Sequence, residues 1–339
     1  MRVLHITTNY PTEERPAFGA FVRSQVESLR AAGAECEVFF LDGQGSVRRY
    51  LRSCFRLLRH LLTHRYDVLH CHHALSGILL CLTGAPLFSR TVLSYQNSPD
   101  REWGALTFYG LYPFFRRIIL KSPNPAYALF PKVVVLPNGC SAQLYRPMDR
   151  TACKRELGLD ENSRYILFVD ANPRRGRTGQ KREDRFDAVI DRLHGAAALS
   201  QASVRPLQAL KLRDVAPERM PLYYNAAELY LLTSDYEGSP NAAKECLMCN
   251  VPVVATPVGD LPFLSAFCPG CRVAETFSEE ELADLVLSVM EPQHPGAAVP
   301  DAEDEPERMY PTSREGLLAL GYSLEATAQN LLQIYGEVC

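Results

Sequence analysis

Apolar positions along the chain alternate between short β-rich runs and longer stretches at helical spacing. Arg2 to Thr7 is such a run, ending in the polar turn Thr8-Asn9-Tyr10-Pro11. Phe21, Val22, Gln25, Val26 and Leu29 then mark a helix that stops at Gly33. Glu35 to Phe40 is the next predicted strand, and Asp67 to His70 and Thr91 to Ser94 continue the alternation. Strand, helix, strand in this order is a βαβ opening that builds toward a parallel sheet.

A second start follows the polar, helix-like stretch Asp149 to Leu159, at the apolar run Arg164 to Val169. The scheme then repeats with a helix near Phe186 to Leu193, the strand Leu229 to Leu232, a helix from Asn241 and the buried strand Val251 to Ala255. Glu291 to Glu307 is Pro- and acid-rich and reads as a loop, and Leu324 to Val338 as a terminal helix. The expected domains are 1–148 and 149–321, with 322–339 packing back on the first. Two doubly wound, Rossmann-like α/β halves in tandem predict a ligand cleft between the carboxyl ends of their sheets.

Length agrees with this division, because 339 residues exceed the size at which one core keeps growing. The net charge of -3 gives no whole-protein reason to expect nucleic acid. Eleven cysteines, an odd number scattered through strands and helices, point to free thiols in a reducing, cytoplasmic setting. The N-terminus lacks the long apolar segment of a signal peptide. The longest apolar stretch, Ala74 to Phe88, is interrupted and too short to span a bilayer.

The densest chemistry lies in Ser234 to Glu245, directly after a predicted strand. Ser239 suits an N-cap and Pro240 the first helical position. The helix start leaves free amides and a positive dipole end, which suit a diphosphate. Glu237 precedes the helix and Glu245 lies about one and a half turns into it, so both acids can face one ligand.

EGSPNAAKECLMCNVPVVATPVGDLP, with seven residues between Glu237 and Glu245, resembles the donor-site signature of the retaining family-4 glycosyltransferases, of GT-B fold and group 1 type. PLYYNAAELYLLTSD before it, VVLPNGCSAQLYRP upstream, the opening PAFGAFVRSQVESLRAAG and the closing YSLEATAQNLLQIY resemble the same family in the same order. The resemblance implies a metal-independent transferase with no cofactor, moving a sugar from a UDP- or GDP-sugar to a saccharide or lipid-linked acceptor in cell-surface polysaccharide synthesis. It implies that Glu237 holds the transferred sugar and Glu245 the ribose, with Gly238, Ser239, Pro240 and Asn241 lining sugar and phosphates. Arg174, Arg175, Lys181 and Arg185 stand where the family places phosphate-binding cations. Gly19, in the first loop, would let the backbone approach the phosphates.

Three positions depart from the family pattern: Asp184 where a lysine is expected, Phe263 where a glutamate is common, and Gln96, beside Asn97 on the acceptor side, where many members carry histidine. These motivate a second reading, a non-catalytic partner subunit, and a GT-B enzyme of another reaction type, such as a sugar-nucleotide epimerase, is a further alternative. His70, His72 and His73 cluster at a strand end; packing is the simpler reading, and a substrate contact falls to His72 or His73 because the strand should end near Cys71. Cys246, Cys249, Cys268 and Cys271 match a zinc spacing on paper, but small core residues explain them more simply. Residues 46–66 carry six arginines around Val47, Leu51, Phe55, Leu58 and Leu62 at helical spacing. That stripe either packs on the first sheet or lies on an anionic membrane. Phe108 to Lys121, aromatic then basic, adds to the second reading.

Overall fold

The β-rich runs form two all-parallel sheets, one in each of two compact units. The computed structural model describes residues 1–43, 46–170, 178–199, 205–290 and 310–339. The first unit comprises Met1–Gly139, Glu237–Ser239 and Tyr322–Cys339, and the second Cys140–Tyr236 and Pro240–Gly321. The expected Glu291 to Glu307 loop lies outside the described residues.

In the first unit the strands are β1 (Arg2–Thr7), β2 (Glu35–Phe40), β3 (Val68–His72), β4 (Thr91–Ser94), β5 (Arg117–Leu120) and β6 (Val133–Val135), ordered β2-β1-β3-β4-β5-β6. Both faces are covered, so the central strands β1, β3 and β4 are buried on both sides rather than alternating. One face packs Leu4, Ile6, Leu69, Leu93 and Ile118 against Leu57 and Leu80. The other packs Val3, Val68, Val92 and Ile119 against the helices Ala20–Ala31 and Leu324–Val338, through Val22, Val26, Leu331 and Tyr335. The aromatic-basic segment 108–121 supplies a helix, Ala105–Leu111, and then β5.

The helix Val47–Thr63 corrects the packing expectation. Its buried side is Ser53 and Leu57, with Tyr50, Cys54 and Leu61 partly buried against the core. Val47, Leu51, Phe55 and Leu62 are 73%, 56%, 69% and 76% exposed. At about 100° per residue, the exposed apolar positions form an arc that adjoins the inner one, and the inner one was hidden in the pattern by a serine and a cysteine.

In the second unit the strands are β7 (Arg164–Val169), β8 (Leu207–Leu212), β9 (Leu229–Leu232), β10 (Val253–Ala255) and β11 (Cys271–Val273), ordered β11-β10-β9-β7-β8. Ile166, Phe168, Leu229, Leu231 and Val254 meet Phe186, Val189, Leu282 and Val286 from the helices Glu183–Leu199 and Glu279–Met290. Strand order reverses between β1 and β3 in one sheet and between β7 and β9 in the other. Loops leaving the carboxyl ends of strands diverge at such points and open a crevice there.

Leu331→Ala should destabilise the first unit by about 2–5 kcal/mol, because a fully buried side chain leaves a cavity. Leu87→Ala, at a 68% exposed position, should cost under about 0.5 kcal/mol. Urea unfolding followed by Trp103, the chain's one tryptophan, checks both.

Candidate functional site

At the second unit's switch point, the segment after β7 is laced to the loop after β9. Thr233 donates to the carbonyls of Lys181 and Arg182 at 2.9 and 3.0 Å. Gln180 donates to the Tyr236 carbonyl at 2.9 Å, and the Asp235 amide to the Gln180 carbonyl at 3.0 Å. Arg185 is buried, donating to the Thr233 carbonyl at 2.7 Å and pairing with Asp235 at 2.9 Å. Arg182, in the left-handed region at φ 52, pairs with Asp184 at 2.8 Å and Asp235 at 3.0 Å. Asp184 therefore neutralises a neighbouring arginine. Lys181 is half-buried, and Arg174 and Arg175 lie outside the described residues.

Beyond that loop runs the helix Asn241–Met248. Its cap is Pro240 rather than Ser239, and no side chain caps it. The expected Ser239 cap is thus displaced by one residue, and a proline side chain can accept nothing. Its first amides are left without a side-chain acceptor. The buried Asn241 Oδ1 has no hydrogen-bond partner either, a state that buried polar atoms rarely keep without a functional reason.

Glu245 lies one turn further on. Tyr224 donates to its Oε2 at 2.5 Å, and the Tyr145 hydroxyl is a second donor. Burial pulls this carboxyl above its ordinary value, and the two hydroxyls and Lys244 offset only part of that. Arg314, in the helix Ser313–Ala319, holds the arrangement from behind. It donates to the carbonyls of Tyr145 and Ala142 at 2.7 Å and of Met248 at 2.9 Å, which also places a cation at the negative helix end. Glu237 is half-buried on the loop before the helix.

The first unit's switch point gathers the loops after β1, β3 and β4. Parallel register places His5 beside His70 and Thr7 beside His72, so the period of two turns all three imidazoles to the face under the Leu324–Val338 helix. They are fully buried. His5 Nδ1 lies 3.1 Å from His72 Nε2, and His70 pairs with the Tyr335 hydroxyl at 2.6 Å and Ser94 at 2.8 Å. Burial pushes His5 down to about 3 and holds His70 and His72 well below the usual imidazole value. Their nitrogens lie within 4.8 Å of one another, and among the described residues no carboxylate or thiol joins them.

The expectation for His72 as a substrate contact does not fit this burial. β3 runs one residue past Cys71 and carries His72 into the core. His73 is the first residue beyond the strand, half-buried at φ 74, with Nε2 3.0 Å from Asn9 Nδ2.

Gly19 is also left-handed, at φ 70, and a Cβ there would lie 2.4 Å from the Asn9 carbonyl group. The close approach that requires glycine is thus made by the chain's own first loop. A Cβ at Gly238, which groups with the first unit, would meet the Gln96 carbonyl oxygen at 1.9 Å. Gln96 and Asn97 give their amides to Glu102.

All eleven cysteines are free. Burial raises the thiols of Cys246, Cys249, Cys268 and Cys271, and Cys268 Sγ donates to the Ser313 carbonyl at 3.6 Å. Sequence reasoning missed Tyr145, Tyr224, Arg182, Arg314 and Glu102. Tyr224 and Tyr145 carried a signal, since they stand in the quoted PLYYNAAELYLLTSD and VVLPNGCSAQLYRP segments.

Two parallel-sheet α/β domains of this kind define the GT-B fold. The fold matches a sucrose-phosphate synthase from Thermosynechococcus elongatus at a TM-score of 0.69 and 17% identity, covering 100% of this chain and 99% of that one. It matches the Anabaena protein HepE in complex with UDP at 0.66 and 15%, covering 99% and 100%.

More particularly, residues 187–291 match the family model described as Glycosyl transferases group 1. Relatives named D-inositol 3-phosphate glycosyltransferase include one from Segniliparus rotundus, 26% identical over 62% of this chain and 48% of its own length. Another, from Thermobispora bispora, is 24% identical over 90% and 78%. The chain thus spans about half the length of the first of these two.

Glu245 binds more protons folded than unfolded. Stability therefore falls as pH rises from the ordinary carboxylate value through the raised folded one. Glu245→Gln should raise Tm near about pH 8, with the gain shrinking in acid. Thermal scans across that range check this, and a variant less stable than wild type at every pH contradicts it.

Proposed function

We propose that the chain is a glycosyltransferase moving a sugar from a nucleoside diphosphate sugar to a hydroxyl of a saccharide or lipid-linked acceptor, with retained anomeric configuration. The observation that carries this reading is Glu245, a carboxylate enclosed by tyrosine hydroxyls at a switch point, beside a helix start whose amides lack a side-chain cap. An acid kept at a cost to stability is a mark of binding sites. Glu245 would receive ribose hydroxyls, and the amides near Asn241 the diphosphate. Glu237 would hold the sugar. Gly238, Ser239 and Pro240 would line it, with Lys181 and Arg185, and Arg174 and Arg175 outside the described residues, as candidate diphosphate partners. Fixed donors of this kind stabilise charge on a leaving diphosphate without requiring a metal. On the acceptor side the candidates are His73, rather than His72, with Gln96 and Asn97. HepE is described with UDP, and the same donor class suits this site.

We further propose that the first unit works on an anionic membrane surface on the cytoplasmic side, in cell-surface polysaccharide synthesis. Among the described residues, no helix is long and apolar enough to cross a bilayer. Exposed Val47, Leu51, Phe55 and Leu62 share one arc of their helix, and Arg48, Arg49, Arg52, Arg56 and Arg59 occupy the next. Beside its end lies a hollow of about 670 Å³ lined by Leu62, Arg65, Leu87, Phe88, Arg90 and Arg116. Apolar insertion flanked by cations is the arrangement that binds acidic lipid headgroups.

A thermal-shift panel of UDP- and GDP-sugars should show one donor stabilising the protein, by about 2.7 kcal/mol at a hundredfold excess over Kd. Glu237→Ala should fold normally and lose transfer; wild-type turnover by that variant removes its assigned role. Recovery of an altered nucleotide sugar with no transfer product would favour the epimerase reading instead.

Vesicles containing phosphatidylglycerol should retain the protein, and pure phosphatidylcholine vesicles should not. Leu51→Glu with Phe55→Glu should weaken retention more than about tenfold, since each buried apolar side chain contributes about 1.5–3 kcal/mol. Equal retention on both vesicle types contradicts the membrane reading.

A further inference from the structure

Glu102 lies outside the helix-start chemistry, yet it is the most enclosed acid of the first unit's switch point, its side chain 6% exposed. It ends the short helix Pro99–Glu102. Its Oε2 accepts from the Ala74 amide at 2.9 Å, and its Oε1 from the Asn97 amide at 3.0 Å and from the Gln96 amide. One carboxylate thereby joins the loop after β4 to the start of the helix Ala74–Leu82 that follows β3. The fourth polar neighbour is His73, whose Nδ1 lies 3.8 Å from Oε1, close enough for the carboxylate's charge to act on it but beyond a direct hydrogen bond. Burial pulls the Glu102 carboxyl up, but His73 and the backbone amides outweigh that, and it stays ionised below its ordinary value.

His73 is fixed from its other sides as well. Its backbone amide donates to the Ser94 carbonyl at 2.8 Å, and its own carbonyl accepts from Ser76 at 2.8 Å. Phe21 meets the ring edge-on, with centroids 6.1 Å apart. With a carboxylate facing Nδ1, the ring proton belongs on Nδ1, and Nε2 is left as a lone pair. That lone pair now receives Asn9 Nδ2 at 3.0 Å.

We propose that Glu102 is a positioning residue, holding His73 in the Nδ1–H tautomer so that Nε2 can accept a hydrogen bond from a hydroxyl of the acceptor, in exchange for Asn9. The same carboxylate fixes the backbone of Gln96 and Asn97 on the same rim. A carboxylate serving only as a helix cap would need the Ala74 contact alone. The hydroxyl-bearing ligand rests on the glycosyltransferase reading; the tautomer does not.

The test is nitrogen-15 NMR of the histidine-labelled full chain, with His73 assigned by its loss in His73→Gln. Wild type should show a protonated Nδ1 and a bare Nε2, and the reverse tautomer overturns the proposal. In Glu102→Leu no acceptor faces His73 Nδ1, so the His73 signal should become mixed or reversed. A folded variant with the wild-type tautomer overturns the positioning role. If that variant does not fold, the wild-type tautomer still decides.

Free glucose, free inositol and D-inositol 3-phosphate serve as probes for the hydroxyl. At least one should shift the His73 Nε2 signal while leaving Nδ1 protonated, and a panel that leaves Nε2 unmoved overturns the ligand part. Failure of every nucleotide sugar to bind or react, with the tautomer as expected, would count against the transferase reading and not against Glu102.

Discussion

A carboxylate removed from water destabilises a fold unless donors replace its lost hydration, and the second unit is arranged around one such group. Glu245 sits on the Asn241–Met248 helix with Tyr224 and Tyr145 as donors, and these replace only part of what water supplied. Tyr224 comes from the Met220–Ala226 helix and Tyr145 from the segment before Asp149, so three separate stretches of chain converge on one acid. Arg314 holds the Tyr145 backbone and the helix end together. A residual cost of this kind is relieved by a ligand that brings hydroxyls. That links the packing of the unit to its proposed work.

The first unit handles polar burial differently. Its sheet places His5, His70 and His72 on one face, where desolvation keeps them neutral and neighbouring rings, Ser94 and Tyr335 take up hydrogen bonds. Tyr335 comes from the last helix, so the terminal segment completes a core begun by the first strand. Only one residue past β3 does the polar character reach the rim, at His73, and there the ionised Glu102 meets it.

Strands with strong apolar runs were legible in the sequence. β1, β2, β4, β7, β9 and the Leu324–Val338 helix fall where the pattern put them. β8 was not, because Leu207–Leu212 alternates with glutamine and lysine and includes half-exposed positions. β6 and β11 are three residues each, too short to carry a period. The Val47–Thr63 helix shows a deeper limit: periodicity reveals that an apolar arc exists, not whether it faces a core, and here a second arc won. The acids of the helix start were visible because their spacing is local. Tyr145, Arg314 and Glu102 act across chain distances that no local spacing records.

The most direct measurement is a crystal structure of the protein grown with UDP or GDP. The account predicts the diphosphate against the amides at Asn241 and a ribose hydroxyl within hydrogen-bond distance of Glu245. A nucleotide bound elsewhere, with Glu245 still held by Tyr224 and Tyr145 alone, would contradict it.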